Sequence, residues 1–146
     1  MNALTPVLFL HVGAAATWLG AALWAPGDIR RTLALGLPHA EALPARAGAA
    51  FSLDLWSGLA TLLTGLVAVA LRGGVPRPGI VVGLGAVLLR LGLLTLGTLP
   101  AWRQVVGAIR EGDLPAARTK ARRLSALAGP AHLLWAVALA GMTFNV

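Results

Sequence analysis

Residues 9–24 read FLHVGAAATWLGAALW, and apart from His11 nothing in them is more polar than Thr17. This run decides the fold. It lies in a charge-free stretch over about residues 5–26, and nearly charge-free stretches recur at about 48–71, 79–101 and 124–144. A helix rising 1.5 Å per residue needs roughly 20 residues to cross a ~30 Å hydrocarbon core, and every one of the four has that length. The 146-residue chain is 58% hydrophobic and only 12% charged, which excludes an ordinary soluble domain. Barrel strands would show ten-residue alternation between turn residues, and that pattern is missing. The expected fold is all-α, one transmembrane domain over residues 1–146. Its four helices form a bundle with antiparallel neighbours, and the longer loops run over about 27–47 and 102–123.

The net charge of +7 does not point to nucleic acid, because the basic residues stand between the apolar runs and not along a recognition helix. They report topology. The first long loop carries Arg30, Arg31 and Arg46, and the second carries Arg103, Arg110, Arg118, Lys120, Arg122 and Arg123. The short connection RGGVPRP holds only Arg72 and Arg77, and the termini hold none. The positive-inside rule then puts both long loops in the cytoplasm and both termini outside, with the bacterial or archaeal cytoplasmic membrane as the expected location. The first run lacks a basic leader and stays apolar to Trp24, so it reads as an uncleaved helix. Absence of cysteine removes disulfides, thiolate metal sites, iron–sulfur clusters and c-type haem attachment.

Pro26 and Gly27 are expected to stop the first helix, with a short interfacial segment in the loop after it. The tight turn RGGVPRPG predicts that the second and third helices pack side by side. In the last loop, Val105, Val106 and Ile109 recur among charges at helical spacing, which predicts helix ends that extend past the membrane and break at GDLP, residues 112–115. No internal repeat is present. The small residues of GLGA, 83–86, offer a surface for homo-oligomerisation.

In a membrane helix, small and polar residues mark the bundle face. They form seams at spacings of three and four: His11, Ala15, Trp18 and Ala22 in the first helix, and Asp54, Ser57, Thr61, Thr64 and Ala68 in the second. Gly83, Val87, Arg90, Leu94 and Gly97 follow in the third, then Ser125, Gly129, His132, Ala136, Ala140 and Thr143 in the fourth. Every ionisable residue of the four runs lies on such a seam. An intramembrane charge costs about 3 to over 10 kcal/mol, so Arg90 requires a partner, and Asp54 is the only acidic residue in any run. Counting along the helices puts Asp54 and His132 roughly 8 to 12 Å deep from the cytoplasmic side and Arg90 roughly 15 Å deep. The expected polar network is Asp54, Arg90 and His132. A register-fixing ion pair and a catalytic or ligand role are equally open.

His11 lies about 9 Å below the other surface by the same count, some 10 Å from His132 along the membrane normal, which makes the two a poor axial pair for one haem. Single ligation by His11 survives that geometry, and so does a metal-free histidine bonded to a neighbouring helix. His39 reads as a solvated loop residue. Trp24 and Trp102 sit where interfacial belt residues belong, while Trp18, Trp56 and Trp135 lie deeper, where they pack the core or line a flat macrocycle.

LHVGAAATWLG (10–20), LATLLTGL (59–66), VLLRLGLL (87–94) and RRLSALAGPAHLLW (122–135) together resemble the superfamily of CopD copper-resistance membrane domains and HemJ-type protoporphyrinogen oxidases, in order and spacing over nearly the whole chain. The resemblance implies b-type haem or a related porphyrin, with His11 at the position of the haem-associated histidine and Arg90 at that of a third-helix lysine. Arginine stays protonated and ligates no iron, so Arg90 is assigned to a propionate, with Trp18 beside the ring. Where the HemJ pattern has an Asn-Glu pair before the fourth-helix proline, this chain has Ala128 and Gly129 before Pro130. Copper is the weaker expectation, because Met1 and Met142 form no thioether cluster. The alternative is a non-catalytic accessory subunit or small transporter built around the Asp54, Arg90 and His132 network.

Overall fold

A computed structural model describes residues 2–74 and 77–143, and among these the chain is helical throughout, with no strand. The helices are α1 (Leu4–Leu35), α2 (Leu37–Ala40), α3 (Leu43–Leu71), α4 (Pro78–Gly92), α5 (Leu99–Arg110) and α6 (Leu114–Thr143). A π-helical turn, Leu93–Thr98, joins α4 to α5 without breaking the rod. Four stretches, Leu4–Leu35, Leu37–Leu71, Pro78–Arg110 and Leu114–Thr143, are long and apolar enough to cross a membrane.

The expected stop at Pro26 is not there. Proline removes one intrahelical hydrogen bond and crowds the preceding turn, but α1 continues for about two and a half more turns because Ile29, Thr32 and Leu33 are buried beyond it. Arg118 fixes the far end by donating from Nε and Nη2 to the Leu33 carbonyl, at 3.1 and 3.0 Å. Gly36, at φ 102°, then ends the helix in a backbone conformation that side chains disfavour. The supposed loop of residues 27–47 is therefore mostly helix, and so is that of residues 102–123, where only Glu111 to Asp113 separate α5 from α6. The break does fall at GDLP. Gly112 has φ 73°, and the Asp113 carboxylate accepts from the Ala116 N–H at 2.9 Å, capping α6.

The π turn was not anticipated. Pro100 has no N–H to offer the helix and its ring crowds the carbonyl four residues back, so the ladder widens just before it and the Leu99 N–H reaches the Leu94 carbonyl instead.

Two hairpins make the bundle, α1 against α3 and the α4–α5 rod against α6, and α1 also packs on α6. The α3 and α4 helices, consecutive in the chain and expected to be antiparallel neighbours, touch far less. Backbone contact explains the preference for α6: a Cβ on Gly141 would stand 2.5 Å from the Gly79 carbonyl and 3.1 Å from the Gly83 nitrogen, so only glycine lets these helices meet. A large apolar cluster fills the end that carries the basic connections, built on Ile29, Leu33, Leu43, Phe51, Val105 and Leu124. Trp102 belongs to it, with its ring centroid 5.4 Å from that of Phe51, and is not an interfacial belt residue. Trp56 faces outward at 65% exposed, away from any interior macrocycle, whereas Trp24 is half exposed as a belt residue would be.

Candidate functional site

The seams of α1, α3 and α4 face inward as read: Trp18, Asp54, Ser57, Thr61, Ala68, Gly83, Val87, Arg90 and Leu94 are all buried. Half of the seam on α6 is misplaced, while Ser125, His132 and Ala140 are partly buried. Gly129, Ala136 and Thr143 are exposed, and the helix instead turns Ala117, Ala121, Leu124 and Ala138 to its neighbours. Ser125 and Thr143 bond their own helix, to the Ala121 and Leu139 carbonyls, so neither hydroxyl has to face inward.

Two polar centres lie one above the other. The deeper is built on Arg90, 2% exposed, whose Nη2 donates to Asp54 Oδ1 at 3.1 Å and whose Nε donates to the Ala131 carbonyl at 3.2 Å. Its guanidinium carbon lies 3.9 Å from the centroid of the Trp18 ring. Gly58 makes that stack possible, because a Cβ there would come within 2.7 Å of the indole. The expected pairing of Asp54 with Arg90 is thus present, and His132 comes within electrostatic range of Asp54. Trp18 Nε1, Arg90 Nη1 and His132 Nε2 are buried and have no hydrogen-bond partner among the described residues, although the indole lies beside the Asp54 carboxylate. Groups of this kind are ordinarily served by ordered water.

The second centre is His11, half-buried, on the α1 face that meets α3. Its Nδ1 lies 3.0 Å from the Thr61 carbonyl and 3.1 Å from Thr64 Oγ1. The Thr64 hydroxyl donates its own proton to the Ala60 carbonyl at 2.6 Å, so Nδ1 carries the hydrogen and donates to Thr61. Nε2 is left with its lone pair and no protein partner among the described residues. Gly65 lets the ring approach α3 closely, since a Cβ there would stand 3.1 Å from His11 Cε1.

His11 opens onto a cavity of about 480 Å³ in the gap between α3 and α4, within the ~300–1,000 Å³ usual for small-molecule and cofactor sites. Leu62, Leu66, Ile80, Leu84 and Val87 supply apolar walls, Met142 a thioether, and Arg72 the only charged side chain among the lining residues. Arg90 and Trp18 do not line it. Trp18 lies seven residues, about two turns, beyond His11 on α1, and Arg90 is engaged there with Asp54 and the indole, so His11 and the Arg90 pair form separate centres. No group of three or more His, Cys, Asp or Glu side chains that could hold a metal occurs among the described residues, which leaves His11 as the one imidazole on the cavity.

Thr61 and Thr64 were placed on the inner seam without being assigned to His11. Depth would have found them, because Thr64 lies seven residues before the end of α3 and His11 seven after the start of α1, which puts them at one level of an antiparallel pair. Compared with family models, curated proteins and solved structures, the chain matches none.

Proposed function

We propose that the chain is an integral membrane protein that holds b-type haem or a related porphyrin in the His11 cavity and acts in membrane redox chemistry or haem metabolism. One observation carries this reading. The Nδ1 of His11 is tied to a backbone carbonyl, which fixes tautomer and ring direction, and the ring, with Nε2 unpartnered among the described residues, lines a cofactor-sized, mostly apolar space; histidines that ligate metals are oriented by such a bond to the other ring nitrogen. Arg72, which lines the cavity, is better placed than Arg90 to neutralise a propionate. When bound, the haem would supply the one-electron chemistry, while the chain's own residues set ligation, burial and local charge. The distribution of Lys and Arg supports a cytoplasmic membrane with both termini outside.

A second reading draws on Asp54 and Arg90, whose contacts are all within the protein. In it the bundle is an accessory subunit or small transporter and the pair fixes how the hairpins meet. The absorption spectrum and metal content of detergent-purified protein separate the two. A Soret band and haem iron that disappear in His11→Ala, with the helical circular dichroism retained, are the expected result. Colourless, metal-free protein from haem-sufficient cells, or a Soret band indifferent to His11→Ala, would overturn the haem assignment.

A further inference from the structure

At the opposite end of the bundle from the His11 cavity, the short α2 helix folds back between α1 and α3 and shapes a second concavity of about 560 Å³. Trp24, Asp28, Arg31, Thr32, His39 and Arg46 line it. We propose that this groove binds the phosphate headgroup of an anionic phospholipid.

Position comes first. The chain has no charged residue before Asp28, so the stretch from Trp24 to Asp28 marks where α1 leaves the hydrocarbon, and the groove lies at the level of lipid phosphates. Charge comes second. Arg31, Arg46 and His39 face a single carboxylate, Asp28, and that carboxylate is already taken: Arg46 donates to it from Nε at 2.9 Å and from Nη2 at 3.1 Å. Arg46 Nη2 also lies 2.7 Å from Thr32 Oγ1, so its guanidinium is held in place with Nη1 still unused. Arg31 is exposed and makes no ion pair or side-chain hydrogen bond among the described residues. The groove therefore presents one fixed and one free guanidinium with an imidazole between α1 and α3. Such a set attracts a phosphate and disfavours a headgroup that brings its own cation. Apolar surface comes third. Trp24 is 50% and Leu23 57% exposed on the membrane side of the same helix, where acyl chains attached to that phosphate would lie.

The test uses the full chain in dodecyl maltoside, titrated with dioleoylphosphatidylglycerol, dioleoylphosphatidylcholine or inorganic phosphate and followed by native mass spectrometry and thermal unfolding. Phosphatidylglycerol is expected to stay bound and raise the unfolding midpoint, with little effect from the other two. Arg31→Gln is expected to weaken its binding about fivefold, the share of one interfacial arginine, while leaving the lipid-free midpoint unchanged. Arg30→Gln, an exposed neighbour outside the groove, is expected to leave binding intact. Equal retention of both lipids, or equal weakening by the two variants, would overturn the site as a diffuse basic surface. A full effect from inorganic phosphate would overturn the lipid and assign the groove to free phosphate.

Discussion

Asp54→Asn removes the counter-charge of Arg90 and keeps nearly the same shape. Breaking a buried pair by taking away one partner ordinarily costs about 3 to 5 kcal/mol, because a charge is left without compensation. Here Arg90 would keep its bond to the Ala131 carbonyl and its stack on Trp18. A desolvated cation–π contact contributes ~2 kcal/mol, which argues for the lower end of that range, about 3 kcal/mol. The double variant Asp54→Leu with Arg90→Met removes both charges and should return to within about 1 kcal/mol of the parent, since apolar replacements of buried pairs are close to neutral. Unfolding in mixed micelles, titrated with sodium dodecyl sulfate and followed by far-ultraviolet circular dichroism, measures Asp54→Asn beside the four corners of a cycle made of the parent, Asp54→Leu, Arg90→Met and their double variant. Loss of less than about 0.5 kcal/mol in Asp54→Asn, the range of an ordinary surface substitution, would refute the reasoning. So would a double variant less stable than Asp54→Asn alone.

Three further outcomes use the same titration. Gly58→Ala should lose about 1 to 3 kcal/mol, because its methyl group meets Trp18 and Leu91 inside 3 Å and the ring beneath Arg90 must move; unchanged stability would mean the stack is slack. Gly141→Ala should destabilise because its neighbours are backbone atoms of Gly79 and Gly83 that cannot swing aside, whereas Gly85→Ala, with open space around it, should be neutral or gain up to ~1 kcal/mol of helix propensity. Equal responses at the two glycines would contradict the close α4–α6 approach. Arg118→Gln should release the end of α1, seen as faster amide exchange over residues 30–36 with little change elsewhere, and unaltered exchange there would show that the Leu33 contact holds nothing.

Hydropathy made the four long apolar helices legible, and the cost of an unpaired charge in such a run made the Asp54–Arg90 pair legible, since each run has so few polar groups that inward faces are nearly forced on α1, α3 and α4. On α6 the same logic held for only half of the seam. A serine or threonine there satisfies itself on its own helix, and alanine marks the packed face only through its size, which periodicity of polar groups cannot register. The helix ends were misread because Pro26 looks like a terminator from its chemistry alone, while what carries α1 past it is burial against residues distant in sequence. The separation of His11 from Arg90 was hidden for a related reason. Depth along the membrane normal places two residues in height but leaves open which neighbour each faces, and Trp18 turned out to occupy Arg90.

Because most of the contact in each half of the chain is between its own two rods, and α3 touches α4 little, the connection between α3 and α4 is a natural place to divide the chain. A gene cut there should yield two polypeptides that insert independently and find one another in the bilayer. Asp54 and Arg90 would then lie on separate molecules, and their attraction would become a measurable affinity between fragments instead of an internal bond.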